Sequence, residues 1–480
     1  MESGMSAQAD RQEFRMRTAV LLAAVLAAGQ VEVSAQEPPR ALSGDWQGSL
    51  SAAPGVSIPL VLHVREAQGR SSATLDSPAQ HAIGLPVASI ARTATEIRFA
   101  LSAPKADFVA TLSADGTTLS GTWIQGAASL PLVMTRTAAI APQLPRRPQT
   151  PAPPYPYRSE EVAYDNIAGH AHLAGTLTIP VGKGPFPAVL LITGSGLQDR
   201  DETVFGHKPF LVWADTLTRR GIAVLRVDDR QTGGSTGDVR TATSQDFAGD
   251  VAAGVAFLRS RREIDPRRIG LMGHSEGAII APIVAARDPA IGFIVMLAGS
   301  GEPGEALMLH QKRLIETASG LAPAAVRQSG QRMQRLYDAV KDAPDQASAD
   351  AALRDTWRSF ASEDGGPATD VPPQLLVVAS PWMRWFIRHD PRPALAAVHC
   401  PVLAVGGSKD LQVPADTNLP GIKTALRANP DATVVELPGL NHLLQTAQTG
   451  LVGEYAQIEE TIAPVALATV GDWIVAHTRR

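Results

Sequence analysis

Gly273-His274-Ser275-Glu276-Gly277 is the stretch on which the reading of this chain turns. Before it, Arg268-Ile269-Gly270-Leu271-Met272 is a short apolar run that suits a central strand. After it, Ala278-Ile279-Ile280-Ala281-Pro282-Ile283-Val284-Ala285-Ala286 suits a packed helix. A serine between two glycines at such a junction implies a bend too sharp for side chains at its flanks, with the hydroxyl held out at the strand end. The order strand, elbow, helix predicts a serine nucleophile, Ser275, on a mostly parallel sheet.

A serine hydroxyl is a poor nucleophile at neutral pH and needs a base within reach and an acid to orient that base. On a sheet of this kind the acid follows the serine and the histidine comes last. Downstream, Val402-Leu403-Ala404-Val405-Gly406-Gly407-Ser408-Lys409-Asp410 is a buried strand ending in glycines and an acid, and Asp416 is a nearby competitor. Val434-Val435-Glu436-Leu437-Pro438-Gly439-Leu440-Asn441-His442 is a further strand that leads through a turn to a histidine. Of the 11 histidines, His442 is the one that follows a last strand in this order. Asp410 and His442 are the expected acid and base. Acyl transfer also needs backbone donors for a developing oxyanion. The N–H of Glu276 is one candidate, and the other comes from Thr193-Gly194-Ser195-Gly196-Leu197-Gln198, where Ser195 is preferred and Gly196 is the alternative. That run is neither a complete dinucleotide fingerprint nor a Walker sequence.

The region around these motifs alternates apolar strands with helical stretches, the pattern of a parallel sheet covered on both faces. Expected strands are Ala188 to Thr193, Ile222 to Val227, Arg268 to Met272, Phe293 to Ala298, Val402 to Val405 and Thr433 to Leu437. One stretch, about 301–397, breaks the alternation with helical segments at Leu307 to Ala318, Ala324 to Lys341 and Ala347 to Ala361. An aromatic cluster, Pro381-Trp382-Met383-Arg384-Trp385-Phe386, follows them. An insertion at that point would cover the C-terminal strand ends, so it is read as a cap. Trp382, Trp385 and Phe386 either line a substrate pocket or pack the cap's core.

Gly44 to Thr137 reads differently, as short alternating segments parted by turn clusters such as Ser113-Ala114-Asp115-Gly116, which predicts a small antiparallel barrel or sandwich over about 36–140. Gly44-Asp45-Trp46-Gln47-Gly48 and Gly121-Thr122-Trp123-Ile124-Gln125-Gly126 look like related strand-edge signatures, as though first and last strands pair. The prolines of 141–158 leave a semi-rigid linker, and the second domain runs over 159–480.

With 480 residues the chain exceeds one ordinary domain, and a net charge of -4 without a basic stripe argues against nucleic acid. Arg15 and Arg17 precede an apolar run from Thr18 to Gly29 that ends near small residues at Val33-Ser34-Ala35, the pattern of a cleavable export signal over 1–35, with Met5 and Met16 as alternative starts. The run is short for a bilayer, and nothing later reaches the roughly 18 apolar residues of a membrane span. Cys400 is the sole cysteine, so there is no internal disulfide and no cysteine after the signal to carry a lipid. It opens a buried strand and is read as packing. A secreted or periplasmic protein acting on a small molecule, without metal or cofactor, is the expectation. His170 and His172 form a His-x-His pair on one strand face with no third ligand nearby.

These residues resemble the secreted bacterial α/β-hydrolases of the serine aminopeptidase-like (S33-type) and carboxylesterase family, including thermophilic esterases with an added N-terminal domain. The likeness rests on Gly194-Ser195-Gly196-Leu197-Gln198-Asp199-Arg200-Asp201-Glu202, Arg226-Val227-Asp228-Asp229-Arg230-Gln231-Thr232-Gly233-Gly234-Ser235, the Gly273 elbow, Gly407-Ser408-Lys409-Asp410-Leu411-Gln412-Val413-Pro414 and Asn441-His442. It runs from about Glu160 onward. The resemblance implies an α/β-hydrolase fold with an about eight-stranded sheet, and a Ser275, Asp410, His442 triad acting on short acyl esters. The alternatives are an aminopeptidase or acylaminoacyl peptidase with the same triad, and a non-catalytic extracellular binding protein. Gln231 stands where many relatives have glycine. Asp199 to Glu202 either anchors a substrate amine or holds its loop by ion pairs.

Overall fold

The computed structural model describes residues 42–479, apart from 54–55, 68–69, 78–81, 94, 103–104, 126–127, 139–145 and 366–369. The export signal expected over 1–35 lies outside the described residues. Strands β1 (Gly44–Ala53), β2 (Val56–Ala67), β3 (Arg70–Ser77), β4 (Ala82–Arg92), β5 (Ile97–Ser102), β6 (Lys105–Leu112), β7 (Thr118–Gln125) and β8 (Ala128–Thr137) form a closed antiparallel barrel in chain order. First and last strands pair as expected, β8 returning to β1 with Gly48 opposite Met134 and Trp46 opposite Arg136, while the second tryptophan signature lies on β7. Trp46 and Trp123 are both buried and pack with Phe99, Phe108, Leu62 and Leu132 to fill the barrel. Gly121 is required where β6 passes close by, since a Cβ there would stand 2.0 Å from the Val109 carbonyl oxygen.

The second sheet has eight strands in the order β16-β15-β14-β13-β11-β12-β10-β9. It opens with the antiparallel hairpin β9 (Arg158–Asn166) and β10 (Ala171–Ile179), whose inner strand β10 runs antiparallel to β12. β11 (Phe186–Ile192), β12 (Ala223–Val227), β13 (Ile264–His274), β14 (Phe293–Leu297), β15 (Val402–Gly407) and β16 (Ala432–Leu437) are parallel. All six expected strands are present within a few residues, and the opening hairpin is additional. Its outer strand, Arg-Ser-Glu-Glu-Val-Ala-Tyr-Asp-Asn, shows the exposed-and-half-buried alternation of a sheet edge and lacks the apolar run of a central strand. His170 falls in the hairpin turn with φ of +48°, while His172 is on β10 and pairs with Asp165 at 2.7 Å. They therefore do not share a strand face.

Helices α1 (Pro209–Arg219), α2 (Ser244–Ser260) and α3 (Glu276–Ala285) connect the early strands. Buried side chains cover both faces of the sheet, one cluster around Leu190, Leu271, Ile280 and Met296 and the other around Trp213, Val224, Val295 and Leu403. Between β14 and β15 lie α4 (Gly304–Ala318), α5 (Pro323–Val340), α6 (Gln346–Glu363), a 3-10 turn at Pro373–Ala379, α7 (Pro381–Arg388) and α8 (Arg392–Ala396). This is the expected insertion, and it has a core of its own built from Leu336, Tyr337, Leu353, Phe360 and Met383. Helices α9 (Ala415–Ala425), α10 (Val452–Tyr455) and α11 (Pro464–Thr478) follow.

The proline-rich stretch is pinned to this half of the chain. Arg147 donates to the carbonyls of Phe205, Ala456 and Ile458 at 2.8–2.9 Å, and Gln149 bonds the backbone of Thr461 and Ile462. Cys400 is partly buried against the sheet's core, and burial pushes its thiol up to about 11.

Candidate active site

Ser275 stands between β13 and α3 with φ +54° and ψ -114°, a conformation that costs an L-residue energy and is held by its surroundings. Its N–H donates to the Leu297 carbonyl at 2.9 Å. The flanking glycines are sterically required. A Cβ on Gly273 would stand 2.0 Å from the Gly277 carbonyl oxygen, and one on Gly277 would stand 2.1 Å from that of Ile192.

Asp410 follows β15 and is buried. One carboxylate oxygen accepts the N–H groups of Gln412 and Val413, each at 2.8 Å, which fixes the carboxylate's orientation. The other meets His442 Nδ1 at 2.8 Å. That contact leaves His442 Nε2 as the nitrogen for proton exchange. Asp416 is exposed in the first turn of α9 and takes no part in this pair.

Ser275 and His442 line one pocket of about 220 Å³ together with Ser195, Gln412, Phe205, Leu443 and Tyr455. Ser275 also lines a second pocket of about 120 Å³, walled by Ile279, Leu307, Met308, Trp382 and Phe386. Ser195, Ser275 and Gln412 belong to both, so the serine sits at the divide between a chamber under the cap and a chamber beside the histidine. Trp382 and Phe386, one helical turn apart on α7, have rings 5.4 Å apart. Trp385 stacks on His389 at 4.4 Å and packs against the sheet's core; it is not among the residues lining either chamber.

Residues 169–421, more than half of the chain, match the X-Pro dipeptidyl-peptidase (S15) family. The chain belongs to the S15 peptidase family. The matching family is S15, where the motifs point to an S33-type relative. Esterase EstD of Thermotoga maritima is 28% identical over 274 residues, an alignment spanning 57% of this chain and 58% of that protein, so the chain covers less than two thirds of this relative's length. Among solved structures, a hypothetical protein, PA2218 of Pseudomonas aeruginosa, is 16% identical with a TM-score of 0.42, covering 72% of this chain and all of that one. The Pyrococcus furiosus esterase Pf2001 is 15% identical, also at 0.42, covering 71% and 100%.

In this member of the S15 family the loop after β11 is tied down internally. Arg200 pairs with Asp228 at 2.7 Å and with Glu161. Asp201 pairs with Lys208 at 3.1 Å and with Arg226. Asp199 accepts the N–H groups of Asp201 and Thr203. The acidic run thus holds its own loop. Gln231 has φ of +62°, the left-handed conformation in which glycine is cheapest, and its side chain donates to the Gly237 carbonyl at 3.0 Å.

Two features escape sequence reading. The Glu276 side chain is buried and accepts from Ser244 Oγ at 2.5 Å, from Trp382 Nε1 at 2.8 Å and from the Ser195 side chain, so it joins the elbow, the loop after β11 and the cap. Burial raises its pKa against those hydrogen bonds. Nearby Asp229 is also pushed up, to about 7, chiefly by burial, although Gln198 N–H and Thr193 Oγ1 donate to it. The second feature is the histidine beside Ser275, His274, which pairs with Glu202 at 2.9 Å and with the His442 carbonyl at 3.0 Å. Both partners are remote in sequence, and no local pattern announces them.

Proposed function

We propose that the protein is an exported serine carboxylesterase that hydrolyses short-chain acyl esters through an acyl-enzyme on Ser275. The observation that carries this reading is the buried 2.8 Å contact between His442 Nδ1 and Asp410, placed in the wall of the pocket that Ser275 shares. His442 takes the Ser275 proton through Nε2 as the hydroxyl attacks the ester carbonyl, and Asp410 stabilises the imidazolium. The oxyanion is received by the backbone N–H groups of Ser195 and Glu276. Gly194 is less suited, because its N–H already donates to Glu202 at 2.7 Å. Glu276 opens α3, so its N–H has no partner within the helix. His442 then protonates the leaving alcohol, and water releases the acid by the same steps in reverse.

The chambers divide the substrate. The leaving group must meet His442, which assigns it the chamber with Phe205, Leu443 and Tyr455. The acyl chain takes the smaller chamber, against Leu307, Met308, Trp382 and Phe386, and its size favours short chains. Family membership favours a second reading, cleavage of an X-Pro or aminoacyl amide by the same residues. Such a substrate brings an α-ammonium that wants a carboxylate partner. The carboxylates among the described residues lining the chambers are Glu202 and Glu276, both buried, and each already takes two hydrogen bonds from the protein on its Oε1. This supports a neutral acyl group.

The domain limits at 36–140, 141–158 and 159–480 belong to the proposal, supported by two sheets that share no strand. Export rests on the Arg15, Arg17 and Thr18 to Gly29 pattern, and no helix among the described residues is long and apolar enough to cross a membrane. Labelling with a fluorophosphonate followed by peptide mapping tests the nucleophile: modification anywhere but Ser275 defeats the proposal. Rates for p-nitrophenyl acetate, butyrate and octanoate against aminoacyl and X-Pro p-nitroanilides then decide between the readings.

A further inference from the structure

Glu202 is buried and uses a single carboxylate oxygen, Oε1, for two contacts. It accepts the Gly194 N–H at 2.7 Å and faces His274 Nδ1 at 2.9 Å. The other His274 nitrogen, Nε2, lies 3.0 Å from the backbone carbonyl of His442, and the two imidazole rings have centroids 4.9 Å apart. A carboxylate and a carbonyl can only accept, so both ring nitrogens of His274 must donate, which requires the imidazolium.

We propose that Glu202 and His274 are paired positioning residues, a buried strap that sets the oxyanion loop and the general base at a fixed distance from each other across the nucleophile. The inference rests on the assignment of Ser275 and His442 made above. Gly194 precedes the oxyanion donor Ser195 in the loop, and His274 is bonded directly to Ser275 in the chain. One ion pair therefore reaches three members of the site. Displacement of such groups by a fraction of an ångström lowers turnover without removing any catalytic group.

The titratable groups facing His274 are Glu202 from the loop after β11, Asp410 from the loop after β15 and the His442 ring, 4.9 Å away, whose residue also offers its backbone carbonyl. Phe210, Trp213, Leu297 and Leu444 close the remaining side. Burial opposes the imidazolium, but the charge and hydrogen bond of Glu202 outweigh it and hold the pKa up at about 8. A group raised in this way contributes fully below the ordinary histidine value and loses its contribution as pH rises through the raised one. Neutral His274 can donate through only one nitrogen, so one end of the strap is released.

The test is the pH profile of kcat and KM for p-nitrophenyl butyrate with the full chain. Wild type should lose kcat as pH rises through about 8. His274→Gln should lower kcat at neutral pH by about 10- to 100-fold with KM nearly unchanged, and the alkaline limb should vanish because glutamine does not titrate. Glu202→Gln keeps an acceptor for Gly194 and removes the charge, so the limb should move to lower pH. A wild-type profile without a limb near 8 overturns the strap, as does a limb that neither variant moves. Wild type alone suffices if neither variant folds. Ser275→Ala separates the readings: if it still turns over, the nucleophile assignment falls, whereas a dead Ser275→Ala beside unaffected Glu202 and His274 variants removes only the strap.

Discussion

Two buried clusters in this molecule pair a histidine with aspartate at nearly the same distance, and their uses are opposite. In the barrel, His63 lies between Asp45 and Asp76, each 2.9 Å from one ring nitrogen, with Arg65 also on Asp45. At the sheet edge, His442 gives only Nδ1 to Asp410. Burial disfavours the charged ring of His63, but the two aspartates prevail and raise its pKa, so both its nitrogens are occupied donors. It has no lone pair left for a substrate. The comparison teaches that an Asp–His contact does not by itself make a base: an open nitrogen, a nucleophile and a pocket are needed at the same place.

The sharpest way to break the comparison is Ser275→Ala, which should reduce ester turnover by about 10⁵-fold while circular dichroism stays unchanged. Turnover that survives would make the sheet-edge histidine as structural as the one in the barrel. Asp410→Asn should cost about 10⁴-fold in kcat, since the amide presents the wrong partner to Nδ1. Trp382→Phe removes the donor to Glu276 and should lower kcat/KM for butyrate esters by about 5- to 10-fold, the equivalent of roughly 1 kcal/mol. Trp385→Phe, outside both chambers, should leave that ratio within about twofold. The smallest effect on activity belongs to His63→Gln. It should leave kcat/KM within about twofold, yet cost the barrel about 1–3 kcal/mol by depriving Asp76 or Asp45 of a donor, seen as a lower thermal midpoint. The His63 contribution is fully present below the ordinary histidine value and fades as pH rises through the raised one, so the stability gap between wild type and variant should narrow in alkali.

The legible parts of the site are those written in short range. The elbow is readable because two glycines are forced by backbone approaches of about 2 Å, and Asp410 and His442 because each follows a strand that announces itself by its apolar run. The cap was visible as a break in the strand–helix alternation, and its helices begin within three residues of where the pattern places them. The edge hairpin was not, because polar β9 carries no core pattern. The aromatic cluster divided in a way composition cannot announce: Trp382 and Phe386 share one row of α7, while Trp385 and His389 share the next.

By itself the sequence determined two sheets of different kinds, a strained serine between glycines, and an acid and a histidine in the order that a parallel sheet can use. These are consequences of periodicity and backbone sterics, which act over a few residues. Only the tertiary structure decided which carboxylates are committed to internal partners, which histidine keeps a nitrogen free, and which aromatics face the serine. Those answers depend on contacts such as Glu202 to His274 and His274 to His442, 72 and 168 residues apart. They exist because the strand order brings the ends of β11, β13 and β15 and the loop after β16 to one edge of the sheet.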